Sequence, residues 1–270
     1  MFPLYDTNPH HRIPWLTLLI ILINVGVMFW LAQLPDQQVN RIYATHGFVP
    51  KRIEQLADPK VVVEVNLNPQ APNAQHLQNA PQQQIVKLPA DRGAIYQSML
   101  TMMFLHGGWL HLLGNMWFLW IFGNNIEDRL GHIIYLCFYI LGGLIALSVH
   151  WLTTPDSTIP VIGASGAVAA VLGAYAVTYP KAKVRTLIFL FIFITVVDLP
   201  ALLLLGLWFL QQLLAGVGAG MGGMDGGVAW WAHVGGFVAG MLLMPLLALG
   251  APPPDKDWRA EAESQFGALR

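Results

Sequence analysis

Charge is what this chain has least of. Only 11% of its 270 residues are Asp, Glu, Lys or Arg, less than half the share of an ordinary soluble domain. Hydrophobic residues reach 55% and the mean hydropathy is +0.53, so a soluble domain is excluded and a chain embedded in a lipid bilayer is expected. A net charge of −1 leaves no basic surface for nucleic acid. Cysteine is nearly missing as well. Cys137 is the single one and sits in an apolar run, which excludes an intrachain disulfide and a thiol-rich metal site.

A hydrocarbon core about 30 Å thick takes about 20 helical residues to cross. Residues 13–34 form the first such run, and they read as an anchor, because no small-x-small cleavage pattern follows. Residues 35–92 are polar and read as an extended outer loop, with 66–84 so rich in Asn, Gln, Pro and Ala that this part is expected to be mobile. A second span covers 110–122, approached by an apolar stretch at 95–105 suited to an interfacial helix, and a third covers 131–152. The fourth, 164–178, holds 15 residues, about 22 Å of helix, and is too short to cross alone. Within 184–214 the apolar run is longer than a span needs and is broken by Asp198 and Pro200, which reads as an interfacial segment followed by span five, or as one long tilted helix. Residues 216–227 are a glycine-rich connection, and 228–249 make span six. The expected fold is an all-α, six-transmembrane-helix bundle over residues 13–250. Residues 1–12 and 251–270 flank it, the tail being too short for a regulatory domain.

Lys and Arg orient it. Arg12, Arg129, the cluster Lys181, Lys183 and Arg185, and the tail residues Lys256, Arg259 and Arg270 fall on one side of a six-span chain, while the connections around Asp156 and Asp225 hold none. Both termini are therefore expected in the cytoplasm of a cell whose inner membrane holds the chain. The first loop carries six more basic residues, but loops of that length translocate with little regard to charge.

In that topology every even-numbered span begins at the outer face. His111 and Asn115 lie near the start of span two, four residues apart and so on one helix face. Ser165 opens span four, and His233 lies about five residues into span six. All four groups reach one depth, and an intramembrane histidine is a functional candidate by default. Taken singly, Ser165 reads as a packing residue, Asn115 as a helix-to-helix hydrogen bonder, and His106 as a structural residue at the entry to span two.

The run Gly163-Ala164-Ser165-Gly166 brings the chain into a helix through small residues, and leaves the serine among first-turn N–H groups that have no intrahelical acceptor. A hydroxyl needs a base, and His233 is the histidine of span six able to take its proton. His111 and Asn115 could donate to the developing oxyanion beside the Ser165 N–H. No carboxylate stands at a matching depth, Asp198 and Asp225 being the nearest, so a dyad is expected in place of a triad. The His-Glu and Gly-x-Gly-Asp patterns of other intramembrane chemistries do not occur. A zinc site from His106, His111 and His132 is poor, since His132 belongs at the opposite face.

These fragments, His111-Leu-Leu-Gly-Asn115, Glu127-Asp-Arg129-Leu-Gly131, Gly163-Ala-Ser165-Gly166 and Ala232-His233-Val-Gly-Gly236 with Gly240, together resemble the rhomboid family of intramembrane serine proteases. The resemblance covers about residues 104–240. It implies a Ser165–His233 dyad that cleaves transmembrane substrates entering laterally from the bilayer. It also implies an oxyanion hole of His111, Asn115 and the Ser165 amide, and a brace between spans two and three from Glu127 and Arg129, with no cofactor and no metal. The chain departs from some relatives at Ala169, where they carry an aromatic residue against which the imidazole packs, and it lacks a clear Trp-Arg pair in the first loop. The small residues Gly166, Ala170 and Ala174, and Gly236 and Gly240, repeat every four positions and should permit close helix contact. Trp208 and Phe209 make span five the bulkier, looser helix, suited to a lateral gate. Two other readings are a catalytically silent relative that binds client helices and a small transporter, the latter disfavoured by the scarcity of ionisable residues midway through the spans.

Overall fold

The computed structural model describes residues 1–9, 11–67, 85–190, 193–220 and 227–249. A short strand β1 (Phe2–Asp6) precedes helix α1 (Trp15–Leu31). The polar region that follows folds into α2 (Asp36–His46), α3 (Glu54–Ala57), β2 (Val63–Asn66), β3 (Ile85–Leu88) and α4 (Arg92–Thr101). Then come α5 (Trp109–Leu130), α6 (His132–Thr153), α7 (Ser165–Thr178), strands β4 (Lys183–Leu190) and β5 (Phe193–Pro200), α8 (Ala201–Gly220) and α9 (Trp230–Leu247). Among the described residues α6, α8 and α9 are long and apolar enough to cross a membrane, and α1 and α7 are shorter apolar helices.

The fold is mostly helical, and the expectation of an all-α chain is wrong in two places. Most of the described part of 35–92 is not an extended loop: Ala44, Val49, Val63, Val65 and Leu88 close a small core of their own, and β2 pairs antiparallel with β3 from Val63↔Leu88 to Asn66↔Ile85. The Asn- and Gln-rich stretch expected to be mobile lies, from residue 68 to 84, outside the described residues. The second correction is at 184–214, which begins as a hairpin. In β4, Val184 and Thr186 are buried while Lys183 and Arg185 are exposed, the period of two that marks a strand. The hydropathy of the run conceals this alternation. Strand β1 completes a three-stranded sheet in the order β1-β4-β5, so the partner comes from about 180 residues away, at Phe2↔Leu187. Arg185 and Asp198 are directly opposed in the hairpin and form an ion pair at 2.9 Å. Helix α8 starts straight after Pro200, and its last turn absorbs the first glycines of the expected connection; residues 221–226 and the tail 250–270 lie outside the described residues.

Helix α7 is the centre of the bundle. Every residue from Gly166 to Ala176 is buried, and its most extensive contact is with α9. The small residues are the reason. A methyl group added at Gly236 would run into the Gly166 carbonyl, one at Gly240 into that of Ala170, and one at Gly173 into the Phe237 backbone. The two main chains touch where larger residues would hold them apart, which gives dispersion contact where water offers no hydrophobic drive.

At the end of α7 away from Ser165, Tyr175 Oη and Asn125 Nδ2 donate to Asp6 Oδ2 at 2.6 and 2.8 Å. Asp6 keeps some exposed surface, but its carboxylate is shut in beneath β1, and this loss of solvent raises its pKa from the usual carboxylate range to about 7 despite the opposing hydrogen bonds. The folded chain therefore holds this proton more tightly than the unfolded one. Its stabilising contribution is whole below about pH 4 and is lost as pH rises through about 7. Asp6→Asn should accordingly gain stability relative to wild type as pH rises from about 4 to about 7 and hold that gain above it, read from melting in detergent. A difference that stays constant over that interval would show that the buried carboxyl is not the titrating group.

Candidate active site

The break between α6 and α7 delivers the serine. Gly163 has φ +125°, a left-handed backbone that favours glycine, and a methyl group there would strike the His111 ring, 2.8 Å from its Cε1 and Nε2. The chain turns through this residue into Ala164 and starts α7 at Ser165. From the facing helix α9, His233 presents Nε2 to Ser165 Oγ at 2.8 Å. Two residues 68 positions apart thus meet in one hydrogen bond.

His111 and Asn115 project from one face of α5 toward the same turn, the Asn115 amide nitrogen lying 3.8 Å from where a Gly163 methyl would be. The Gly107 N–H donates to His111 Nδ1 at 3.4 Å, which leaves the ring's hydrogen on Nε2, the nitrogen beside Gly163. Asn115 is 8% exposed, and its Nδ2 has no hydrogen-bond partner among the described residues. A buried amide donor without an acceptor is costly, and the residue that carries it lines, together with Ser165, His233 and His111, a cavity of about 590 Å³. All four residues expected to share a pocket do share it.

His106 does not join them as a donor to the cavity. It is 1% exposed, its carbonyl accepts from Tyr43 Oη at 2.6 Å, and its Nε2 receives the Ala164 N–H at 3.5 Å, so it ties α2 to the turn before the serine. Asp198 is held in the hairpin by Arg185, and Asp225 lies outside the described residues. His132 bonds Glu127 at the far end of α5.

One neighbour of the imidazole is not anticipated by sequence reasoning. Gln212 Oε1, from α8, lies 2.7 Å from His233 Nδ1, and the residue is 5% exposed. A polar side chain midway along an apolar helix was the available signal, obscured because Gln211 precedes it. The aromatic support missing at Ala169 also comes from other helices: the Trp208 ring of α8 and the Trp230 ring of α9 lie 6.0 and 6.1 Å from the imidazole. Ala169 is small for a packing reason, since Gly236 approaches its Cβ closely.

The model of the Rhomboid domain matches residues 93–249, more than half of the chain. The chain belongs to the rhomboid family. This rhomboid is similar to Rhomboid-like protein 11, chloroplastic, of Arabidopsis thaliana, with 41% identity over 75 residues, 28% of this chain and 26% of that one. It is similar also to Presenilin-associated rhomboid-like protein A, mitochondrial, of Danio rerio, with 34% identity over 87 residues, 32% of this chain and 23% of the other. RHOMBOID-like protein 5 of Arabidopsis thaliana is 36% identical over 76 residues, 28% of this chain and 25% of that protein. The matched stretch spans about a quarter of each relative's length. The matched domain begins within α4, so β1, α1, α2, α3 and the β2–β3 hairpin of this rhomboid precede it.

Proposed function

We propose that this rhomboid is an intramembrane serine endopeptidase acting on transmembrane protein substrates. The carrying observation is the 2.8 Å approach of His233 Nε2 to Ser165 Oγ on the wall of a cavity that also holds an unpartnered amide donor. In this reading His233 takes the Ser165 proton as the oxygen attacks a substrate carbonyl carbon. The oxyanion forms where the Asn115 amide, the His111 ring N–H and the Ser165 main-chain N–H can donate to it. Protonated His233 gives its proton to the leaving amine, an acyl-enzyme remains on Ser165, and water activated by the same imidazole releases the second product.

The reading takes α1, α5, α6, α7, α8 and α9 as six spans with both termini in the cytoplasm of a cell whose inner membrane holds the chain, which puts the cavity near the outer leaflet. Substrates whose helices unwind easily are favoured, because only an extended strand exposes its carbonyl to the serine. Helix α8, exposed along Leu202, Leu203, Leu207, Leu210 and Leu214, is the side from which a substrate helix would enter.

A fluorophosphonate probe should label Ser165 in wild type and leave Ser165→Ala unlabelled; an unlabelled wild type would remove the hydrolase reading in favour of a silent client-binding relative. Asn115→Ala should lower kcat by about 10²–10³-fold with KM little changed, because the donor acts on charge that exists only in the transition state. A change confined to KM would assign Asn115 to substrate binding instead.

A further inference from the structure

We infer that Gln212 is a positioning residue which selects the tautomer of His233 and ties the catalytic imidazole to helix α8; this rests on the serine-hydrolase reading above. A neutral imidazole carries one ring hydrogen, and it can act as base toward Ser165 only when Nε2 is the bare nitrogen. Gln212 Oε1 faces Nδ1 at 2.7 Å, and a carbonyl oxygen at that distance is an acceptor, so it holds the hydrogen on Nδ1. Nε2 is then left with its lone pair toward Ser165 Oγ, 2.8 Å away. This is the place a carboxylate occupies in a Ser-His-Asp triad, filled here by an amide.

The choice of an amide follows from the surroundings. Gln212 is 5% exposed on a helix whose other inward residues, such as Leu204 and Leu205, are apolar. A carboxylate there would bring an unpaired charge into a low-dielectric site before any imidazolium had formed to balance it, whereas an amide carbonyl fixes the ring without that cost. The Trp208 ring, one helical turn earlier on α8, limits ring rotation, so orientation and tautomer are both set by α8. Outward displacement of that helix would withdraw both restraints from His233.

The test compares Gln212→Leu, Gln212→Glu and the exposed neighbour Gln211→Leu in the full chain, reading Ser165 labelling by a fluorophosphonate across pH, kcat and KM for a transmembrane substrate, and ¹⁵N NMR of the His233 ring. Gln212→Leu should lower the labelling rate and kcat by about 10–100-fold with KM unchanged and lose the Nδ1–H form as the dominant tautomer. Gln212→Glu, which keeps an acceptor in place, should retain the Nδ1–H signal, with the acid limb of its rate profile moved to higher pH because a carboxylate favours the protonated ring. Gln211→Leu should match wild type. Equal labelling rates and unchanged pH profiles in both Gln212 variants would overturn the inference, as would loss of activity in both with the ring tautomer unaltered. Failure of wild type itself to label would instead remove the hydrolase reading, and the NMR signal separates the two cases.

Discussion

If the proposed peptidase reading holds, His233→Ala should lower turnover of a transmembrane substrate by about 10⁵-fold or more, and adding Ser165→Ala to it should cost almost nothing further. The reason is the single hydrogen bond at 2.8 Å between the two side chains. A serine without its base is a weak nucleophile, and an imidazole without its serine has no proton to move, so the two losses describe one broken unit and their free energies do not add. What survives in either single variant comes from the oxyanion donors and substrate binding alone. The measurement is kcat for both single variants and the double variant in proteoliposomes. Effects that multiply would mean the two residues act independently and that another group serves as base.

The second large effect is on stability. Glu127→Ala should cost about 3–5 kcal/mol and leave little folded protein in the membrane. Helix α1 begins after Pro14 and has no side-chain cap of its own. Its first N–H groups are capped by Glu127, from α5: Oε1 accepts the Leu16 N–H at 2.9 Å, and Oε2 accepts the Thr17 N–H at 2.8 Å and the Thr17 hydroxyl at 2.7 Å. His132 Nδ1 lies 2.5 Å from Oε1. The Glu127 side chain is 0% exposed, and a carboxylate at a helix N-terminus also meets the positive end of the helix dipole. Truncation removes the acceptor of the buried Thr17 N–H and of the part-buried Leu16 N–H and leaves a void beside them. Glu127→Gln, which retains one acceptor oxygen, should fall between Ala and wild type. Chemical denaturation in detergent reads the series, and a loss below about 0.5 kcal/mol for Glu127→Ala would mean the cap is replaceable.

Glu127 illustrates how much of the molecule can be read along the chain. Its fragment resembles the family's, and a brace between spans two and three follows from that resemblance. The side chain in fact reaches α1, 110 residues earlier in sequence, as well as His132 at the start of α6. No local pattern signals this, because the capped helix and the cap are in different parts of the chain. The opposite holds for α7. Its small-residue repeat already implies contact between main chains, because only residues without bulk let two backbones meet, and Gly240 against Ala170 is such a contact. The hairpin β4–β5 was hidden for a third reason. A strongly apolar run satisfies helix and strand alike, and the pairing that makes it a sheet comes from β5 beside it and from β1 about 180 residues away.

By itself, the order of residues determined membrane character and the limits of α1, α6, α7 and α9 to within a few residues, and it singled out Ser165, His233, His111 and Asn115 as candidates for one pocket, since hydropathy and helical rise are local quantities. Tertiary packing alone decided what surrounds them. Gln212 beside His233, Glu127 above α1 and Asp6 beneath Tyr175 are each fixed by which elements lie side by side, and a hydrogen bond between distant segments leaves no periodic trace in either one.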